Sequence, residues 1–148
     1  IARLPPGRLG CHKQGMLAHT RALIAAATYA FVARRKVAGV FDHSAGRDLR
    51  IAAESRDNQL QGFDGERETM FGGTLPELFD GGGKTYLSFE VEGAKAQGYD
   101  RGSSTAFTAQ VAGRVVQVYD HGQAAWFAYD VKDIDLGYDA DREVAASR

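Results

Sequence analysis

Two histidines directly follow aspartates, and these four residues are the best candidate metal ligands in the sequence. The pairs are Asp42-His43 and Asp120-His121. If their turns meet at one end of the fold, imidazole nitrogens and carboxylate oxygens would suit zinc or another divalent transition ion. An aspartate that opens a glycine-containing turn, however, usually accepts hydrogen bonds from backbone N–H groups one to three residues later. We favour the turn role and predict neither a metal nor another cofactor.

Hydroxyl nucleophiles are the second kind of chemistry that the sequence offers. Ser103-Ser104-Thr105 could supply a nucleophile and His19 a base. Such catalysis needs the base within hydrogen-bonding reach of the hydroxyl. No local pattern joins these distant segments, so an enzyme with Asp and His at one end of the fold is kept only as an alternative.

A row of aromatic and amide side chains is the strongest candidate for a binding surface. Aromatic rings recur directly before aspartates, and Gln recurs two residues before three of those rings, which places both on one face of a strand. Rings supply contact area and amides supply hydrogen bonds, a combination suited to sugars or to a flat partner surface. The competing interpretation is that these ladders only stabilise a sheet. The candidate ligand-binding residues are Phe63, Tyr99, Tyr119, Gln61, Gln97, Gln117, Trp126 and Tyr86.

The elements that must position these residues are repeated hairpins. Five aromatic–aspartate pairs recur, and the last three aspartates are separated by twenty residues each. Apolar residues follow each aspartate at period two, as in Leu87, Phe89 and Val91, which indicates half-buried strands. Glu92-Gly93 then offers a tight turn into a returning strand. The pairs are Phe41-Asp42, Phe63-Asp64, Phe79-Asp80, Tyr99-Asp100 and Tyr119-Asp120.

The predicted fold class is therefore mainly β. We expect an antiparallel up-and-down meander of about nine strands over residues 37–131, built from hairpins of about twenty residues, as a barrel or a strongly curved sheet. One N-terminal helix is predicted over 16–36 and is expected to pack on the concave apolar face or over one mouth. Residues 1–15 are expected to be a loosely ordered segment and 132–148 a C-terminal tail.

The helix prediction depends on an apolar, alanine-rich composition. Leu17, Ile24, Ala27 and Phe31 are spaced to lie along one side. The uncharged stretch 22–33 is shorter than the roughly twenty residues that cross a bilayer. We therefore expect no transmembrane span and favour a retained, packed helix over a secretory one.

Small residues on the returning strands support the packing of this helix. Gly62, Ala96 and Gly98 are expected to permit its close approach.

Composition limits the classes of partner. The chain has 148 residues, 44% of them hydrophobic, and a formal net charge of −1. One domain of ordinary size is expected. The charge balance gives no electrostatic reason to expect a nucleic-acid partner, so none is predicted. The single cysteine, Cys11, forms no intramolecular disulfide. The cytoplasm is slightly favoured, with secreted or periplasmic locations left open.

The hairpins resemble two known repeat types. The segment Phe41-Asp42-His43-Ser44-Ala45-Gly46-Arg47 is similar to the tyrosine–aspartate repeats of large bacterial shell-forming toxins, and the period is similar to that of MORN hairpin arrays. Later copies lack the Gly-Arg-apolar run, and the chain is far too short to form a shell. Neither resemblance transfers a functional residue.

The expected function is a non-catalytic binding or interaction module presenting the aromatic and Gln surface. Its partner is an unknown protein, a carbohydrate or a small apolar ligand. A carrier whose barrel interior takes a hydrophobic ligand in place of the helix is one alternative, and the small enzyme is another. An open sheet would leave unpaired edges, so a homodimer is also expected to be feasible.

Overall fold

The computed structural model describes residues 15–134, which form one helix followed by eleven strands. The helix, α1, spans Ala18–Ala33. The expectations for 1–14 and 135–148 lie outside the described residues. The strands are β1 (Lys36–Asp42), β2 (Arg47–Leu49), β3 (Ile51–Arg56), β4 (Gln59–Asp64), β5 (Thr69–Thr74), β6 (Glu77–Asp80), β7 (Thr85–Glu92), β8 (Lys95–Asp100), β9 (Thr105–Ala112), β10 (Val115–Asp120) and β11 (Ala125–Ile134).

The sheet closes into an antiparallel barrel. Successive strands pair in chain order, and β11 then pairs with β1 in the register Val131↔Val40. Ten strands form the closed wall, while the short β2 pairs with the end of β1 beside them. The predicted meander is confirmed in its barrel form, and β11 extends to Ile134, three residues past the predicted end. Because β1 and β11 pair with each other, the argument for a dimer from open edges no longer applies.

The five repeat aspartates close equivalent turns at one end of the barrel, which we call the aspartate rim. In each turn the Oδ1 atom accepts a hydrogen bond from the backbone N–H two residues later, at 2.8 to 3.1 Å. All five aspartates are at most 3% exposed. The predicted turn role is therefore confirmed. The aspartates are Asp42, Asp64, Asp80, Asp100 and Asp120.

Helix α1 lies along the concave inner face, surrounded by the barrel wall. Twelve consecutive residues, 20–31, are buried, and the helix contacts β1, β3, β4 and β7 to β11. An α-helix that is apolar on all sides is stable where all sides are covered. The expectation of a one-sided stripe is wrong, since Leu17 is 60% exposed and every face of the helix from Thr20 to Phe31 is buried. Within 15–134, no helix has the length and apolar character needed to cross a membrane.

Each end of α1 is fixed to a different end of the barrel. At the aspartate rim, the backbone N–H of Met16 donates to Asp120 Oδ2 at 2.9 Å. At the opposite end, Ser55 Oγ donates to the Ala30 carbonyl at 2.8 Å. Arg34 then adopts a left-handed conformation that ends the helix and turns the chain into β1. The direction of the helix therefore places its N-terminus at the aspartate rim.

The small residues on the returning strands lie close to their neighbouring strands. A Cβ on Gly62 would lie 2.3 Å from the Phe71 ring, and a Cβ on Gly98 would lie 2.7 Å from the Phe107 ring. At both glycines the nearest atoms belong to neighbouring strands, and at Gly98 the Ser88 carbonyl oxygen is closer still, at 1.9 Å. Ala96 is buried in the core that includes the helix, and Gly62 is also buried.

Candidate functional site

All eight predicted binding residues lie on the outer face of the barrel. Phe63, Tyr86, Tyr99 and Trp126 are 43 to 51% exposed, which is high for aromatic side chains. Gln61, Gln97 and Gln117 are also exposed, and Tyr119 is half-buried.

The densest group of these residues forms a surface on β8 to β11. Gln97, Thr108, Tyr119 and Trp126 are paired across four adjacent strands in one row. Directly opposite residues in antiparallel strands are roughly 5 Å apart, so the row is about 15 Å long. We call this surface the Trp126 patch; it consists of Gln97, Thr108, Gln110, Gln117, Tyr119, His121 and Trp126.

Contacts between its side chains give the Trp126 patch a defined shape. The rings of Tyr119 and Trp126 are 5.0 Å apart between centroids, and His121 packs edge-on against Tyr119 at 4.7 Å. Thr108 Oγ1 lies 3.2 Å from His121 Nε2. The result is a cluster of rings with hydroxyl and imidazole groups at its border.

The amides of the patch form the next row along the strands. Gln110 Nε2 donates to Gln117 Oε1 at 3.1 Å. The pair leaves amide hydrogen-bonding groups of both residues free to contact a ligand.

The remaining predicted residues lie elsewhere on the wall. Tyr86 pairs with Phe79, with ring centroids 4.8 Å apart, on β6 and β7. Phe63 pairs with the exposed Met70 on β4 and β5, and Tyr99 lies opposite Ala106. Gln61 lies on the Phe63 strand. The eight residues therefore do not converge on one site.

A cleft of about 550 Å³ opens at the aspartate rim, between the first turn of α1 and the turns after Asp80 and Asp100. We call it the rim cleft. His19 and Thr20 line one side, and Ser103, Ser104 and Thr105 line another. The structure thus places in one cleft the histidine and the hydroxyl residues that the sequence left unconnected.

The arrangement in the rim cleft lacks the hydrogen bond that activates a nucleophile. Ser103 Oγ donates to Asp100 Oδ2 at 2.7 Å, and within 15–134 no hydrogen bond joins His19 to Ser103, Ser104 or Thr105. The positive φ of Ser104 recurs at Lys84 in the preceding equivalent turn, so it belongs to the turn geometry. Catalysis by these hydroxyls stays a hypothesis.

The imidazole of His19 is suited to hydrogen bonding in its neutral form. Burial lowers the pKa of His19 below its ordinary value, and the guanidinium of Arg67 lowers it further, against the opposing charges of Asp80, Asp64 and Asp100. His19 is therefore mainly neutral at pH 7, with one nitrogen able to donate and the other to accept.

The carboxylates near the cleft differ in whether they form an ion pair with a described residue. Arg67 bridges two of them, donating from Nε to Asp64 Oδ2 at 2.7 Å and from Nη2 to Asp80 Oδ1 at 2.9 Å. Asp100 is 3% exposed and accepts hydrogen bonds from Gly102 and Ser103, but it has no ion pair with any described residue.

The histidine–aspartate pairs do not form a metal site in the part of the chain that the structure describes. His43 Nε2 lies 3.1 Å from Asp130 Oδ1, whereas Asp42 caps its own turn. Residues 15–134 contain no cluster of three or more potential ligands. His121 instead belongs to the Trp126 patch.

The barrel interior is filled by the helix. The gap between Leu23 and Ile24 of α1 and the wall residues Phe71, Leu78 and Leu87 is about 10 Å³. A single water molecule needs roughly that volume. A hydrophobic ligand would enter only if α1 left, so the carrier alternative requires displacement of the helix.

Comparison of the chain with protein-family models, with curated proteins and with solved structures finds no significant match in any of the three.

Proposed function

We propose that this protein is a non-catalytic binding module that takes a carbohydrate on the Trp126 patch. The observation that carries the proposal is the exposed ring pair of Tyr119 and Trp126 with amides and a hydroxyl in adjacent rows. Apolar C–H faces of a sugar ring pack on aromatic rings, while its hydroxyls need the donors and acceptors that Gln and Thr supply.

The shape of the patch supports an extended ligand. The row Gln97–Thr108–Tyr119–Trp126 follows the hydrogen-bonding direction of the barrel wall over about 15 Å, which fits two or three linked sugar rings. The filled interior supports the outer wall as the binding surface, because the gap between α1 and the wall residues Phe71, Leu78 and Leu87 is only about 10 Å³.

Trp126 provides a direct assay because it is the only tryptophan in the chain and its side chain is 51% exposed. Titration with cello-, chito-, xylo- and malto-oligosaccharides should give a saturable change in intrinsic fluorescence for at least one of them. Calorimetry on variants then locates the site.

We expect Trp126→Ala to weaken binding about tenfold, because loss of a stacking ring removes about 1.4 kcal/mol. Tyr86→Ala is the matched control, since Tyr86 is 47% exposed and lies outside the patch. Binding that survives Trp126→Ala but is lost in Tyr86→Ala would contradict the proposal, as would the failure of every oligosaccharide to bind.

A further inference from the structure

A second cleft, of about 530 Å³, lies on the outer wall beside the Trp126 patch. We call it the wall cleft. Gln97 and Thr108 line it and also belong to the patch, so the two surfaces are continuous. A sugar chain that extends beyond the patch in this direction therefore enters the wall cleft. The other residues that line the cleft are Glu90, Val91, Glu92, Lys95 and Ala96.

The register of the strands places Glu90 at one end of the row that carries the proposed function. Glu90 is paired with Gln97 of β8, so the row crosses five adjacent strands from Glu90 to Trp126. Directly opposite residues are roughly 5 Å apart, which gives a row of about 20 Å. On the far side of β7, the pairing with β6 stops at Ser88, so the row does not continue past Glu90.

The charges of the wall cleft do not cancel. Glu92 lies directly opposite Lys95 in the hairpin of β7 and β8, where opposite charges attract each other. Glu90 instead lies opposite the neutral Gln97, is exposed, and forms no ion pair with any residue of the described range 15–134. The end of the row therefore carries one negative charge without a cationic partner.

We propose that the wall cleft takes a sugar unit with a free amino group, so that the ligand of the continuous surface is an oligosaccharide of amino sugars. This inference rests on the proposed carbohydrate function and adds the chemical class of the sugar. The rings of Tyr119 and Trp126 stack on sugar units at one end, and the ammonium group of a unit at the other end faces Glu90. A neutral sugar leaves this carboxylate without a cation, and an acidic sugar is repelled by it.

The test compares two oligosaccharides that differ in charge at one position of each ring. Cellotetraose and the matching glucosamine tetramer carry a hydroxyl and an ammonium group, respectively, at this position at pH 6. Calorimetry at low salt on the protein of residues 1–148 should show the glucosamine tetramer binding about threefold more tightly, as expected of an exposed ion pair. About 0.5 M sodium chloride should remove this preference, because salt screens exposed charges.

Two variants locate the charge that is recognised. Glu90→Gln removes the charge but keeps hydrogen-bonding groups, and its affinity for the glucosamine tetramer should fall about threefold, to that for cellotetraose. Glu54→Gln is the matched control, because Glu54 also lies opposite a glutamine, Gln61, but outside the row. This control should keep the preference for the glucosamine tetramer.

The outcomes separate this inference from the proposed function. If cellotetraose binds and the glucosamine tetramer binds no more tightly, the inference is overturned and the proposed function stands. The same holds if Glu54→Gln removes the preference as fully as Glu90→Gln, since the attraction then comes from the net charge of the protein. Lack of binding by the glucosamine tetramer also overturns the inference, whereas the proposed function fails only when every neutral oligosaccharide fails to bind as well.

Discussion

Arg67 holds two buried carboxylates, so its removal is the most informative test of how the aspartate rim is stabilised. Its Nε and Nη2 atoms donate to Asp64 and Asp80 at 2.7 and 2.9 Å, and the two carboxylate side chains are 1% and 2% exposed. Arg67→Met keeps an unbranched apolar side chain but leaves both charges unpaired. Breaking a buried pair in this way costs about 3 to 5 kcal/mol of unfolding free energy.

The measurement is urea unfolding followed by far-UV circular dichroism. Arg101→Met is the control, because the Arg101–Glu77 pair at 2.8 Å has side chains 58% and 41% exposed and should contribute less than about 1 kcal/mol. Arg67→Lys should fall between wild type and Arg67→Met, since one ammonium cannot reproduce the two-pronged geometry. If Arg67→Met and Arg101→Met lose the same stability within about 0.5 kcal/mol, the reasoning about burial at the rim is wrong.

Two further predictions concern the wall and the helix. Gly98→Ala places a Cβ 1.9 Å from the Ser88 carbonyl oxygen and should cost about 3 kcal/mol of unfolding free energy, against about 1 to 2 for Gly113→Ala, which has a positive φ of 63° but open space around it; equal losses in urea unfolding would refute the close-approach argument. Burial and the hydrogen bond to Asp133 raise the pKa of Tyr29 to about 12 from an ordinary 10, so this stabilisation is complete below pH 10 and is lost as pH rises to about 12. Unfolding measured from pH 9 to 12 should show a flatter decline for Tyr29→Phe, and identical profiles would contradict the assignment.

The alternation of residues after each aspartate was sufficient to predict the strands and their inner face. Leu87, Phe89, Phe107 and Ala109 are all buried, as period two requires. Closure of the barrel could not be predicted, because it depends on pairing between β1 and β11, which are far apart in sequence. Their register follows from the accumulated twist of every strand between them.

The position of the helix could be predicted in part from the sequence. A stretch that is apolar on one side predicts a helix on a surface, whereas one that is apolar all round predicts a helix that is enclosed. Ala22, Ala25 and Ala26 supply that second pattern, and each is fully buried. The spacing of Leu17, Ile24, Ala27 and Phe31 along one side does not contain this information.

For the candidate surfaces, the sequence predicts only which residues share one face of a strand. Tyr119 and Gln117 are predictable from their spacing before an aspartate, but Thr108 and His121 join the Trp126 patch by cross-strand contact. The signal that could have found Thr108 is its predicted place opposite Tyr119 in the hairpin. The rim cleft had no local signal, because it forms where the N-terminus of α1 meets turns from distant repeats.

The last repeat differs from the other four in the contacts of its aspartate. Asp120 caps its turn through Oδ1, as the others do, but its Oδ2 accepts hydrogen bonds from the backbone N–H of Met16 and from the Arg21 guanidinium. The same turn carries His121 of the Trp126 patch and Gly122 of the rim cleft. One turn therefore holds the entry to the helix and borders both surfaces. Equivalent repeats form the barrel, and the contact of one repeat with the helix makes the surfaces beside that repeat different from those of the other repeats.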